Sequence, residues 1–188
     1  MSALVKIYGV QILGNPSKVN APIKMEISFE AFESIKDEIE CELTFVASDA
    51  VEERDQLLET VVIGPFESGS HKFTFEAPAP DMTKLSAEDV SDCTALLLKC
   101  KYRNQTFTKF GWLVTHVYTD EELVENPPET PILEKLERNI DGPDVRVTHF
   151  PIKWVDSAVD EKDMGTSIEQ AAGDASAEQA KQDVAMES

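Results

Sequence analysis

Cys93-Thr94-Ala95-Leu96-Leu97-Leu98-Lys99-Cys100-Lys101-Tyr102, then Arg103-Asn104-Gln105, then Thr106-Phe107-Thr108-Lys109-Phe110-Gly111-Trp112-Leu113-Val114 and on to Tyr118, reads as one long β-hairpin. Side chains alternate along a strand, so Thr94, Leu96, Leu98, Cys100 and Tyr102 share one face, and Ala95, Leu97, Lys99 and Lys101 share the other. The first set predicts a core face. Tyr102-Arg103-Asn104-Gln105 supplies a tight polar turn, and the return strand puts Phe110, Trp112 and Val114 in one phase against Lys109, Gly111 and Leu113. On the outward face Ala95, Leu97 and Leu113 stand where a fully solvated sheet would carry polar groups. An apolar patch rimmed by charge marks a surface that binds a partner.

The 188 residues correspond to about one domain, and the formal net charge of -19 sets the sign of its long-range field. That field repels nucleic acid and anionic membrane surfaces and attracts basic proteins. Cys41, Cys93 and Cys100 form no CxxC pair and are odd in number, and two of them fall on inward strand phases, which predicts buried free thiols in a reducing compartment rather than a disulfide framework or zinc site. No apolar run approaches the roughly 20 residues a membrane helix needs, and the opening Met-Ser-Ala-Leu-Val-Lys is no signal stretch. The expectation is a soluble intracellular protein without membrane contact.

Outward from the hairpin, the same two-residue period recurs. Val5 and Ile7 shift phase across Gly9 to Val10 and Ile12, which predicts a bulged strand. Ile23, Met25, Ile27 and Phe29 alternate with Lys24, Glu26, Ser28 and Glu30; Ile39, Cys41, Leu43 and Phe45 alternate with an outer row of Glu40, Glu42, Thr44 and Val46. Shorter strands are predicted over Leu58 to Ile63, His71 to Ala77 and Val145 to Trp154. Ser86-Ala87-Glu88-Asp89 and Thr119-Asp120-Glu121-Glu122 predict two short helices started by capping boxes. Many short strands separated by turn signals predict an all-β protein, an immunoglobulin-like antiparallel β-sandwich with short helices in its loops. The predicted domain covers residues 1–156. From 157 to 188 the chain holds eight acidic residues, two lysines and no aromatic residue, which predicts a disordered acidic tail.

Gly14-Asn15-Pro16, Glu26-Ile27-Ser28-Phe29-Glu30, Ile63-Gly64-Pro65, Glu122-Leu123-Val124-Glu125-Asn126-Pro127-Pro128, Arg138-Asn139-Ile140, and Arg146-Val147-Thr148 with Phe150, Ile152 and Trp154 follow one another in order. Together they resemble the anti-silencing-function histone chaperone family from about residue 4 to residue 154. The resemblance implies a non-enzymatic protein without cofactor that binds a histone H3/H4 dimer and shields the H3 dimerisation surface. Carried over by position, the histone face includes Val46, Asp55, Asp89, Ala95, Leu97, Lys109 and Leu113, with Arg146 and Thr148 on the last strand. That strand would receive the H4 C-terminal segment by β-augmentation. Three positions depart from the family pattern: Ala95 replaces valine, Lys109 arginine and Leu113 tyrosine.

The resemblance also implies a second surface, at Asp37, Glu38 and Glu40, for deposition factors such as the histone-regulator complex and chromatin assembly factor. It further implies a monomer acting in nucleosome assembly and disassembly in the nucleus, with cytoplasmic histone traffic as well. Residues alone leave a rival: an immunoglobulin-like adaptor that takes a short linear peptide without handling histones. They do not point to an enzyme. His71, His116 and His149 are scattered, and no nucleophile motif, phosphate loop or metal-ligand spacing is present.

Overall fold

The computed structural model describes residues 2–47 and 54–155. Residues 2–152 form one compact unit. The predicted tail lies outside the described residues, and so does the boundary placed at residue 156.

Ten strands and two short helices are described: β1 Val5–Leu13, β2 Ser17–Lys18, β3 Ile23–Ala31, β4 Ile39–Val46, β5 Gln56–Ile63, β6 Gly69–Ala77, α1 Ala87–Ser91, β7 Thr94–Tyr102, β8 Gln105–Tyr118, α2 Glu121–Glu125, β9 Leu136–Ile140 and β10 Arg146–His149. The strands make two antiparallel sheets, β1-β3-β6 and β2-β9-β8-β7-β4-β5, with β10 added to β8. This is the immunoglobulin-like sandwich that the strand pattern predicts. Its core is the inward phase of each strand: Met25, Ile27 and Phe29 from β3, Cys41, Leu43 and Phe45 from β4, Leu96, Leu98 and Cys100 from β7, and Phe110, Trp112 and Val114 from β8. The bulge predicted in β1 lies between Ile7 and Gly9.

The hairpin turn has the geometry its register needs. Arg103 and Asn104 take φ of 48° and 61°, the left-handed pair that matches the twist of two strands joined by two residues. Asp37 holds the turn from outside, accepting from the Tyr102 hydroxyl at 3.0 Å and from Arg103 Nε and Nη2 at 3.0 and 2.7 Å. At Gly64, φ is +129° and a Cβ would stand 3.2 Å from the Asp37 carbonyl and the Glu38 Cα, so a side chain there meets backbone. Two stretches quoted for the resemblance meet in space. The Asn15 side chain donates to the Ile140 carbonyl at 2.7 Å and accepts from its N–H at 2.9 Å, tying the end of β9 to the loop after β1.

Four local expectations are corrected. The last strand stops at His149, four residues long and exposed, because Pro151 has no N–H to continue a ladder after Phe150 donates to Phe107. The second helix is capped by Asp120, whose carboxylate takes the Glu122 N–H, and not by Thr119. Strand β5 begins two residues earlier than the apolar run, at Gln56. Cys93 is exposed, while Cys41 and Cys100 are buried across adjacent strands as expected.

Arg138 on β9 is 2% exposed, and its guanidinium donates to the Val19 and Ala21 carbonyls and to Ser17 Oγ. Burial lowers its pKa to about 10, so it stays charged at neutral pH. His116 lies across the ladder from Arg138, with the Phe45 ring 6.3 Å away. Burial, reinforced by the Arg138 charge and opposed by the Val90 backbone, pushes His116 down to about 4. Between pH 6.5 and 4 the unfolded chain therefore binds a proton that the folded chain refuses, and stability falls as pH falls. Urea unfolding of His116→Gln beside the wild type should show a difference of about 2–3 kcal/mol in the stability lost between pH 7 and pH 4.5, with the variant losing less. Parallel pH profiles would contradict this reading of His116.

Candidate functional site

Cross-strand register assembles the outward patch. Val46, Ala95 and Leu113 form one row across β4, β7 and β8; Thr44, Leu97, Gly111 and Arg146 form the next, extended onto β10; Glu42, Lys99, Lys109 and Thr148 form a third. Seven of the nine residues carried over for the first surface thus belong to these three adjacent rows. Leu113 is 41% exposed, and Ala95, Leu97 and Val46 are half-buried. The face grades from apolar at the start of β7 to cationic at Lys99 and Lys109, which stand directly opposite each other.

Gly111 shapes the middle row. A Cβ there would come within 3.3 Å of Leu97 Cδ2, so its absence lets the leucine lie over the strand. Beside it is a depression of about 230 Å³, lined by Ala95, Leu97, Gly111, Leu113, Asp144 and Arg146. Asp144 and Gly111 were not legible as site residues from spacing alone. Neither was Leu57, 61% exposed, which a register shift in β5 places opposite Thr44. Strand β10 has β8 as its one ladder partner among the described residues, so its other edge offers N–H and C=O groups.

Asp55 and Asp89 differ from the rest. Asp55 precedes β5 and is half-buried, next to Arg54, which pairs with Asp89 at 3.1 Å. Asp89 is buried and completes the α1 capping box, accepting from Ser86 N–H at 2.8 Å and Ser86 Oγ at 2.6 Å. Its carboxylate is committed to the fold, so any role on the face passes through the position of α1 and Arg54.

The second predicted surface lies at the other end of β4 and β7. Asp37, Glu38 and Glu40 line one depression of about 240 Å³ with Val62, Lys101 and Arg103. Two of the three carboxylates already have partners. The Arg103 and Tyr102 hydrogen bonds hold Asp37 below the usual carboxylate range, and Glu40 pairs with Lys101 at 3.4 Å. Lys101 also bonds Glu42, and that hydrogen bond, opposed by partial burial, holds the Glu42 carboxyl below its usual range. Glu38 is exposed and has no ion pair among the described residues.

The histidines lie apart. His71 stacks on Phe29 at 5.2 Å, and His149 meets Thr108 Oγ1 at 3.4 Å. No group of His, Cys, Asp and Glu among the described residues could hold a metal ion, and no described helix is long and apolar enough to cross a membrane. Gly111→Ala tests the shape of the patch. It should shift the Leu97 methyl resonances while changing Tm by less than about 5 °C, since a surface adjustment costs on the order of 1 kcal/mol. A drop above about 10 °C, or unmoved Leu97 methyls, would contradict the packing.

Residues 2–155 match the family described as "ASF1 like histone chaperone". The chain is 47% identical over 156 residues to "Probable histone chaperone asf-1-like protein" of Caenorhabditis elegans, covering 83% of this chain and 64% of that protein. To "Probable histone chaperone asf-1" of the same organism it is 44% identical, covering 83% and 57%. To "Histone chaperone asf1" of Drosophila melanogaster it is 42% identical over 152 residues, covering 81% and 70%. This chain thus spans less than two thirds of the length of the two nematode proteins.

Proposed function

The chain belongs to the ASF1-like histone chaperone family, and from that premise we propose that it binds a histone H3/H4 dimer through the outward face of β4, β7, β8 and β10. The observation that carries this reading is the apolar strip that Val46, Ala95, Leu97 and Leu113 form on adjacent strands of the outward face, with Leu113 41% exposed. Such a strip suits the apolar side of an amphipathic histone helix, and the net charge of -19 draws the basic histone towards it. Covering the H3 surface through which two dimers pair keeps H3/H4 as a dimer ready for transfer. Strand β10, through Arg146 and Thr148, receives the C-terminal segment of H4 as an added strand.

The second surface, at Asp37, Glu38 and Glu40, takes a basic segment of a deposition factor of the histone-regulator or chromatin-assembly type. Occupied carboxylates weaken it less than their pairing suggests, because exposed ion pairs contribute under about 1 kcal/mol and exchange readily. The far residues of the two surfaces on β4, Val46 and Glu40, lie six residues or about 20 Å apart, while the row of Lys109 and Thr148 comes within two residues of Glu40 along the strands. The protein would act as a monomer in nucleosome assembly and disassembly, chiefly in the nucleus.

Calorimetric titration of the full chain with purified H3/H4 dimer, beside Leu97→Arg, tests the proposal. One-to-one binding weakened at least about 100-fold by the substitution is expected, since burying an unpaired cation against an apolar helix costs more than about 2.7 kcal/mol. Circular dichroism should report both proteins equally folded. Absence of binding by the wild type, or equal affinity of the variant, would contradict it and favour a peptide-binding adaptor.

A further inference from the structure

A third depression is lined by residues that neither surface uses. About 230 Å³ in volume, it is walled by Val90 of α1, His116 and Val117 of β8, Leu123 of α2, and Pro127 and Pro131 of the following loop. Val117 and Val124 at its mouth are 48% and 60% exposed. Val90, Val117, Leu123, Val124 and the prolines make most of the lining apolar, with Ser91, His116 and Tyr118 adding polar groups. The volume falls below the roughly 300–1,000 Å³ of sites that enclose a small molecule, and suits a single side chain of a longer ligand.

The segments that flank it are predominantly acidic. Residues 119–131 carry Asp120, Glu121, Glu122, Glu125 and Glu129 with no lysine or arginine, and α1 adds exposed Glu88. Lys135 is engaged with Asp120 at 3.2 Å. The chain's own residues beyond 156 are acidic as well and share the sign of the rim, so charge disfavours them as the occupant.

We propose that this groove is an additional docking site for a basic, lysine- or arginine-rich segment of a partner protein that inserts one branched aliphatic side chain between α1 and α2. The carboxylates of α2 and the loop draw the segment in, and the apolar floor selects those that carry an anchor. Its lining residues are distinct from those of the histone face, so the two occupants do not compete for the same side chains.

The probe is a synthetic twelve-residue lysine-rich peptide with one central leucine, titrated into the isotope-labelled full chain and followed by amide chemical shifts. Saturable shifts are expected at Val117, Leu123 and Val124. They should weaken about fivefold or more when the leucine is replaced by serine, and vanish when the lysines are replaced by glutamates. Val124→Asp, an exposed position, should abolish them while leaving H3/H4 binding unchanged; Leu97→Arg should leave them intact while abolishing H3/H4 binding. The proposal is overturned if shifts are confined to the β4, β7, β8 and β10 face or to residues beyond 156. It is equally overturned if the serine peptide binds as well as the leucine peptide, or if no saturable shift appears.

Discussion

The register between β7 and β8 is the constraint on which the rest depends. Thr94 faces Val114, Leu96 faces Trp112 and Leu98 faces Phe110, so every inward residue of one strand meets an inward residue of the other. A one-residue slip of β8 would turn Leu113 into the core and bring Trp112 and Phe110 to the surface. The two left-handed residues of the turn fix that register at one end, and the Asp37 carboxylate clamps the turn through Tyr102 and Arg103. The opposite end is fixed by the Thr94 hydroxyl, which donates to the Val114 carbonyl at 3.0 Å.

From that register the outward apolar face follows without any further specification. Once Ala95 and Leu113 stand opposite each other, the flanking strands align Val46 on one side and Arg146 on the other. Gly111 then leaves room for Leu97, and the depression beside it results from the missing side chain. Charge is distributed to match. Lys99 and Lys109 sit together at one end of the face, whereas the acidic residues crowd the far ends of the sheet and the helices.

Much of this was legible in the sequence because a strand buried on one side writes a two-residue period. Strands β3, β4 and β7 show it without interruption, and their inward residues are the buried ones. Legibility ended where a residue's environment is set by distant chain. Arg138 reads as a surface cation, yet it is buried because the carbonyls of residues 19–22 converge on it. The two-residue strand β2 carries no period at all. Leu57 reaches the outer surface through a register shift between Leu43 and Thr44, which no pattern in β5 announces. Asp89 was legible as the carboxylate of a capping box, but neither its burial nor its pairing with Arg54 was. The motifs behind the family resemblance were legible as signatures, but not that Asn15 and Ile140 bond each other to tie two distant stretches of the fold together.

The central claim is that the outward hairpin face, with the free edge of β10, is where H3/H4 is held. Amide hydrogen exchange of the full chain, with and without a stoichiometric H3/H4 dimer, reports on it directly. The account predicts strong added protection at Arg146 to His149, where a second strand would pair, with slower exchange along the adjoining part of β8 and no change at α2. Protection that leaves β10 untouched and falls on α1, α2 or the β1-β3-β6 sheet would contradict it.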